Sequence, residues 1–313
     1  MDIKKKRIVF MGTPQFAVPS LIMLISKRYN VVAVYTQLDK QGNRMQVLPS
    51  PIKALANCHN IPVLQFDKIK SPEGVQSLKD LQPDIVITAA FGQLLTQTIL
   101  DIPTLGVYNV HASLLPQYRG GCPIHWCIIE GNHKSGITIM RTERGLDTGP
   151  ILLQVPTEIE SHHTYDDIYT VLSQLGATAL EEFLNSFDQI VPQPQQDSIS
   201  SYHPIIRKQD GKCDWTKSSI DVHNHIRGVT STPGAYTYLN GQLIKIWRSQ
   251  VSDLQSQTTP GQILYADSNN GLVIGCGSGC IKVLELQLSN KKKLSIKDFF
   301  NGNKLPIGSI LGG

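Results

Sequence analysis

Two polar side chains, two residues apart, interrupt what otherwise reads as a short buried strand. In GVYNVHAS, residues 106–113, Asn109 and His111 stand where a core strand would carry Val or Ile. Side chains alternate along a strand, so Val107, Asn109 and His111 share one face and Tyr108 and Val110 the other. The amide and the imidazole are then about 6–7 Å apart, a rise of two residues. An amide donates to an oxygen on which negative charge develops, and an imidazole moves protons near neutral pH. Together they suit attack on a carbonyl carbon. A hydrogen-bonded core histidine beside a turn-capping asparagine accounts for the same pair, and the two residues alone do not choose.

A second group of residues favours the chemical reading. RTERGLDTGPIL, residues 141–152, sets Asp147 between Gly145 and Gly149. Glycines there let the backbone take conformations with φ > 0 and come close to a ligand. A carboxylate beside an imidazole raises its basicity and fixes its tautomer. A turn aspartate bonding its own backbone is the plain alternative.

Both groups need a scaffold, and the first half of the chain reads as one. RIVFMG (residues 7–12), NVVAVYT (30–36), IPVLQF (61–66), DIVITAA (84–90) and LGVYNVHAS (105–113) are apolar strands. Helical stretches alternate with them, VPSLIMLIS, SPIKALANCH and SPEGVQSLKDL, two of these opening on a serine suited to capping. Val- and Ile-rich strands alternating with helices predict a parallel sheet covered on both faces, an open α/β fold that binds ligands beyond the carboxyl ends of its strands. The turn after the first strand, MGTPQF, has neither the G-x-G-x-x-G fingerprint nor a G-x-x-x-x-G-K-[ST] loop, which disfavours a nicotinamide enzyme or an NTPase.

IVPQPQQDSISSYHP, residues 190–204, is polar and Pro-punctuated, as a linker would be. Beyond it YLNGQLIKIW carries an Asn-Gly hairpin signal, and several short strands follow. The expected organisation is an α/β domain over 1–189, a linker over 190–206 and a small β-barrel over 207–313, a module that often handles oligonucleotides. KKKLSIKDFFNG adds a lysine run and a short helix.

Composition narrows the function classes. The 313 residues are 41% hydrophobic and 17% charged, ordinary for a globular protein of two domains. No apolar run reaches the 18 residues of a membrane span, and MDIKKKR is not followed by a signal-peptide core, so a cytoplasmic protein without membrane association is expected. Six dispersed cysteines make no disulfide framework. Cys276 and Cys280 in CGSGC have no second Cys/His pair nearby, so buried thiols are expected there and no metal. Residues 1–199 hold 16 Lys+Arg against 18 Asp+Glu, whereas residues 200–313 hold 13 against 7. A basic C-terminal third points to an anionic partner, and solvated lysines would give the same count. His125, His162, His163 and His225 have no partners at a recognisable spacing and read as core or surface histidines.

FMGTPQFAVPSL, NVHASLLPQYRGGCPIHWCIIEGNHKSGITIM and GLDTGPIL resemble the folate-dependent formyltransferases, and the resemblance runs along the whole chain. The NVHASLLP and GLDTG elements are shared with sugar-nucleotide formyltransferases and 10-formyltetrahydrofolate dehydrogenase, so they imply formyl transfer and leave the acceptor open. Thr13-Pro14-Gln15-Phe16, the Pro-Ser-Pro-Ile-Lys segment and the basic C-terminal module favour the branch that formylates initiator methionyl-tRNA. The resemblance implies a Rossmann-like domain joined to an OB-like barrel, N10-formyltetrahydrofolate as co-substrate, no metal, and a one-carbon transfer that serves translation initiation; a monomer is expected. It implies catalytic roles for Asn109, His111 and Asp147, and a folate-lining turn at Ser113, Leu114, Leu115 and Pro116. The family's basic loop is thinned here: in LDKQGNRMQVLPSP Lys40 and Arg44 remain, while Met45, Gln46 and Val47 stand where further basic residues would be. Lys40 and Arg44, with Lys291, Lys292 and Lys293 from the second domain, are therefore the tRNA-binding candidates, a solvated loop being the alternative for the three lysines.

Overall fold

The apolar runs of the first half become the strands of one seven-stranded sheet. The computed structural model describes residues 1–41, 47–254 and 259–312. They fall into two units, one comprising Met1–Gly120, Ser135–Thr157 and Tyr169–Tyr202, the other Gly121–Lys134, Glu158–Ile168 and His203–Gly313.

In the first unit β1 (Ile8–Gly12), β2 (Val31–Thr36), β3 (Val63–Gln65), β4 (Ile85–Ala89), β5 (Gly106–His111), β6 (Lys134–Arg141) and β7 (Ile151–Glu158) lie in the order β7-β6-β5-β4-β1-β2-β3. β1 and β4 are buried at every position, which is why they read as unbroken apolar runs. Crossover helices α1 (Val18–Ser26), α2 (Pro51–Cys58) and α3 (Pro72–Asp80) separate the early strands. Ser50 Oγ accepts from Lys53 N and Ser71 Oγ from Gly74 N, so both serines cap as their positions predict. The chain winds outward from β1 in both directions, and the switch point between β1 and β4 lies one strand from β5.

Five strands are parallel, as the alternation predicts, but β6 runs antiparallel to β5. Its register sets Met140 against Asn109 and Thr138 against His111. β6 and β7 are consecutive neighbours closed where Arg141 N donates to Pro150 O at 3.0 Å. The loop of this hairpin carries Asp147. The short return between Arg141 and Ile151 lets β7 pair directly back on β6 as a hairpin. Helix α4 (Tyr165–Asn185) follows.

The second unit holds an antiparallel sheet of β8 (Ala235–Leu239), β9 (Gln242–Ser252), β10 (Ile263–Asp267), β11 (Gly271–Gly275) and β12 (Cys280–Leu288), ordered β8-β9-β12-β11-β10, with β13 (Leu294–Ser295) paired to β12. The hairpin signal is realised: Asn240 (φ 50°) and Gly241 (φ 76°) make the turn between β8 and β9. Trp215, Ile226, Ile244, Ile246, Ile274, Val283 and Phe299 form its core, drawn from the sheet, from helix α5 (Ser219–Gly228) and the turn before it, and from helix α6 (Ile296–Phe300). Ile129 of the short helix over Pro123–Ile129 packs against the same core. Among the described residues no helix is long and apolar enough to cross a membrane.

Candidate active site

Asn109 is the partly exposed residue of β5, and its neighbours in the strand are buried. The register pairs it with Thr88 on β4. The Thr88 hydroxyl donates to Asn109 Oδ1 at 2.9 Å and lies 3.3 Å from the carbonyl of Tyr108. With its oxygen occupied, the amide keeps its NH2 as a directed donor.

His111 is 6% exposed at the carboxyl end of β5. Its Nε2 lies 3.1 Å from the carbonyl oxygen of Tyr118, which can only accept, so Nε2 carries the hydrogen and Nδ1 is the basic nitrogen. Nδ1 faces Asp147 Oδ1 at 3.7 Å. The tautomer is therefore fixed by Tyr118, and Asp147 supplies a charge opposite the nitrogen that would take a proton. Asp147 is itself held: Gly120 N donates to its Oδ2 at 2.8 Å, and its backbone is left-handed at φ 54°. Gly149 is required where it stands, because a Cβ there would lie 1.9 Å from Arg141 O.

The turn after β5 is built from inside. The Ser113 hydroxyl donates to Gln117 O at 2.8 Å, and Ser113 O accepts from the Thr138 hydroxyl at 2.6 Å. Leu115 N donates to Thr138 Oγ1 at 3.1 Å, while Gln154 Nε2 donates to Leu115 O at 2.8 Å and to Thr138 Oγ1 at 3.0 Å. Ser113 and Leu115 are thus buried and committed to the turn's shape, and Leu114 and Pro116 keep accessible surface.

Thr88, Thr138 and Gln154 escape sequence reading. Threonine is at home in any strand, and only the cross-strand register reveals that Thr88 faces Asn109 and Thr138 faces His111. The polar stretch after residue 190 is also tied to this unit. Gln193 bridges to Ile151, Tyr118 N donates to Ser201 Oγ at 2.8 Å, and Arg119 N donates to Ser201 O at 2.9 Å. Gln195 reaches the Asp147 loop, its Nε2 donating to Asp147 O at 2.8 Å and to Gly149 O at 2.7 Å.

The candidates for an anionic partner are divided between the two units. Arg44 lies outside the described residues. Lys40 begins a two-residue strand, Lys40–Gln41, paired with Val47–Leu48. Lys291, Lys292 and Lys293 are exposed on the turn between β12 and β13. Lys293 pairs with Glu285 at 3.0 Å and lies 5.4 Å from the centre of the Trp247 ring, which Lys245 also approaches at 5.8 Å.

Among the described residues no group of three or more His, Cys, Asp or Glu side chains is placed to hold a metal ion. Cys276 and Cys280 are buried, and burial pushes the Cys276 thiol up to about 12. His125 is a core residue, stacked on Tyr165 at 3.9 Å with Nε2 3.0 Å from Thr232 O, and burial drives it down to about 4.

Residues 6–184 match the Formyl transferase family and residues 205–304 the Formyl transferase, C-terminal domain family. A protein of Citrifermentans bemidjiense named methionyl-tRNA formyltransferase is 43% identical over 98% of this chain and 96% of its own. The fold matches HypX from Aquifex aeolicus in complex with tetrahydrofolic acid, with a TM-score of 0.63 at 14% identity over 96% of this chain and 48% of that one, so this chain spans about half the length of HypX. It also matches the N-formyltransferase from Helicobacter canadensis bound to folinic acid and dTDP-3-aminofucose, with a TM-score of 0.67 at 19% identity over 93% and 100% of the two chains. Strands that bring an amide donor, an imidazole and a carboxylate to one end of a Rossmann-like sheet, together with likeness along nearly the whole sequence, leave one assignment: the chain belongs to the formyl transferase family, on the branch of the methionyl-tRNA formyltransferases.

Proposed function

We propose that this enzyme transfers a formyl group from N10-formyltetrahydrofolate to the α-amino group of initiator methionyl-tRNA, in the cytoplasm, as a step of translation initiation. The observation that carries the chemistry is the Asn109 amide, its oxygen taken by Thr88, in the same strand as a His111 whose basic nitrogen faces Asp147. The full-length likeness to methionyl-tRNA formyltransferases supports the acceptor. In this reading residues 1–189 carry the reaction, residues 207–313 hold the tRNA, and 190–206 join them.

A folate formyl donor suits the residues present, which offer an amide donor, an imidazole nitrogen and the apolar surface of Leu114 and Pro116. When bound it supplies a formyl group already activated on nitrogen. The amide NH2 of Asn109 donates to the formyl oxygen as negative charge builds there, a contribution of about 3–4 kcal/mol for one such donor. The attacking α-amino group titrates near about 8, so a useful fraction is neutral at pH 7. His111 takes the proton at Nδ1 while Nε2 stays anchored on Tyr118 O, and the Asp147 carboxylate balances the charge formed. His111 then returns that proton to the departing nitrogen. Ser113 and Leu115 hold the turn that bears Leu114 and Pro116 against the donor.

Lys291 and Lys292 have exposed charges for tRNA phosphates, and Lys40 and Arg44 are the further candidates that the sequence offers. Trp247, with lysines at its face, offers a stacking surface of the sort that single-stranded ends use. The enzyme acts as a monomer in this reading.

The test offers N10-formyltetrahydrofolate with charged initiator tRNA in one reaction and with a 4-amino-sugar nucleotide in another. Formylmethionyl-tRNA is the expected product. Formyl on the sugar alone would keep the catalytic group and discard the acceptor; formyl on neither would discard both.

A further inference from the structure

The stretch whose composition reads as a linker contains one residue that behaves differently from its neighbours. From 191 to 199 every residue but Gln195 is exposed. All three hydrogen-bonding functions of its side chain are used. Both hydrogens of the amide go to carbonyls of the Asp147 loop, Asp147 O at 2.8 Å and Gly149 O at 2.7 Å. Its Oε1 accepts from Arg119 Nε at 3.0 Å. Turned over, the amide would set its oxygen against two carbonyl oxygens and its NH2 against an N–H, so only one orientation is allowed. Arg119 is 8% exposed, and its Nη2 is fixed by Asp197 at 2.8 Å.

Asp147 needs such support. Its φ of 54° is a conformation that a residue with a Cβ rarely holds unaided. Its carboxylate is gripped from Gly120 N, its carbonyl from Gln195, and Arg119, next to Gly120 in the chain, joins the two grips. A loop free to relax would carry Oδ1 away from His111 Nδ1.

We infer that Gln195, backed by Arg119, is a positioning residue for formyl transfer, holding the Asp147 loop in the conformation that faces its carboxylate to His111. This rests on the proposed role of Asp147. It makes part of the connecting segment a component of the catalytic machinery.

The test is a double-mutant cycle on steady-state formylation. Gln195→Glu keeps the side chain's size and its contact with Arg119 but has no N–H for the two carbonyls. It is expected to lower kcat about tenfold, with KM for formyl-folate and for charged tRNA within about twofold, because misplacement of a reacting group is felt in turnover. In an Asp147→Asn background, assayed with enzyme in excess, the same change should cost less than about twofold, since the group it positions is already lost. Wild-type kcat in Gln195→Glu overturns the inference. So does an equal loss in both backgrounds, which would mark a merely structural tie. Wild-type turnover of Asp147→Asn itself removes the role of Asp147 and this inference with it. If Gln195→Glu does not fold, as judged by its thermal transition, Gln195→Met is read in the same cycle. Absence of formylmethionyl-tRNA from the unmutated protein is a failure of the acceptor reading, visible before any variant is made. The cycle is then read on whichever acceptor is formylated.

Discussion

The Asn109 amide depends on a hydroxyl one strand away, and the two can be separated by mutation. Asn109→Ala should lower kcat by about 10²–10³, the loss typical of one directed donor to a developing oxyanion. Thr88→Val keeps the amide but frees its oxygen, and a smaller loss of about fivefold is expected, the worth of one hydrogen bond of about 1 kcal/mol. Steady-state formylation checks both, and a Thr88→Val loss as large as that of Asn109→Ala would mean the threonine does more than orient. Asn109 and His111 were legible in the sequence because each is polar in an apolar strand. Thr88 was not, since nothing in IVITA separates a threonine that packs from one that orients a neighbour. A second expectation concerns the thiols. Burial pushes Cys213 and Cys276 up to about 12, whereas Cys58 is exposed. At pH 8 an alkylating reagent should therefore label Cys58 and leave Cys213 and Cys276 unmodified until the protein is denatured, as peptide mass mapping would reveal.

The β6–β7 hairpin is the element on which Asp147 depends, and its glycines are set by space. A Cβ at Gly149 would lie 1.9 Å from Arg141 O, and one at Gly136 2.5 Å from both Val155 O and Leu114 Cδ2. Gly149→Ala should thus open the closed end of the hairpin and destabilise the first unit by about 1–3 kcal/mol. Formylation should fall further than the lost stability explains, because Asp147 moves with the loop. A thermal midpoint beside a kcat measurement separates the two effects. The parallel strands and capped helices were readable from Val/Ile runs and from serines at helix starts. The hairpin's direction was not: composition records burial, and direction comes from how the chain returns. Gln195 was hidden for a related reason. Its Pro- and Gln-rich surroundings have the composition of a linker whether or not one side chain turns inward.

For the molecule as a whole, charge and protonation set the working conditions. His125, His223 and His225 all lie in the second unit, and burial holds each below the ordinary histidine value, His125 at about 4. Unfolded histidine takes its proton near pH 6.5, so as pH falls the unfolded chain binds protons first. Stability is then fully present above about pH 6.5 and declines toward pH 4, His125 alone accounting for about 2 kcal/mol between pH 7 and pH 5. Asp39, held low by hydrogen bonds from Lys53 and Gln65, and Asp84, held low by Arg7 N, lose their contributions only at lower pH, as each carboxylate is protonated. Thermal midpoints at pH 7 and pH 5 should therefore separate, and His125→Gln, which can keep a bond to Thr232 O, should narrow the gap. Salt should act on substrate binding instead. KM for charged tRNA is expected to rise steeply with ionic strength, and that for formyl-folate only weakly. Lys292→Ala should raise KM for tRNA more than Lys293→Ala, because Lys293 already pairs with Glu285.

The bracing of Asp147 by Gln195 bears on how chimeras with related enzymes should be cut. A junction at residue 190 would discard Gln195 and Asp197 with the exchanged half and leave Arg119 and the Asp147 carbonyl without their partners. A junction placed after Tyr202 carries the brace along with the loop it steadies, so grafts of foreign C-terminal modules should keep their turnover only when spliced there.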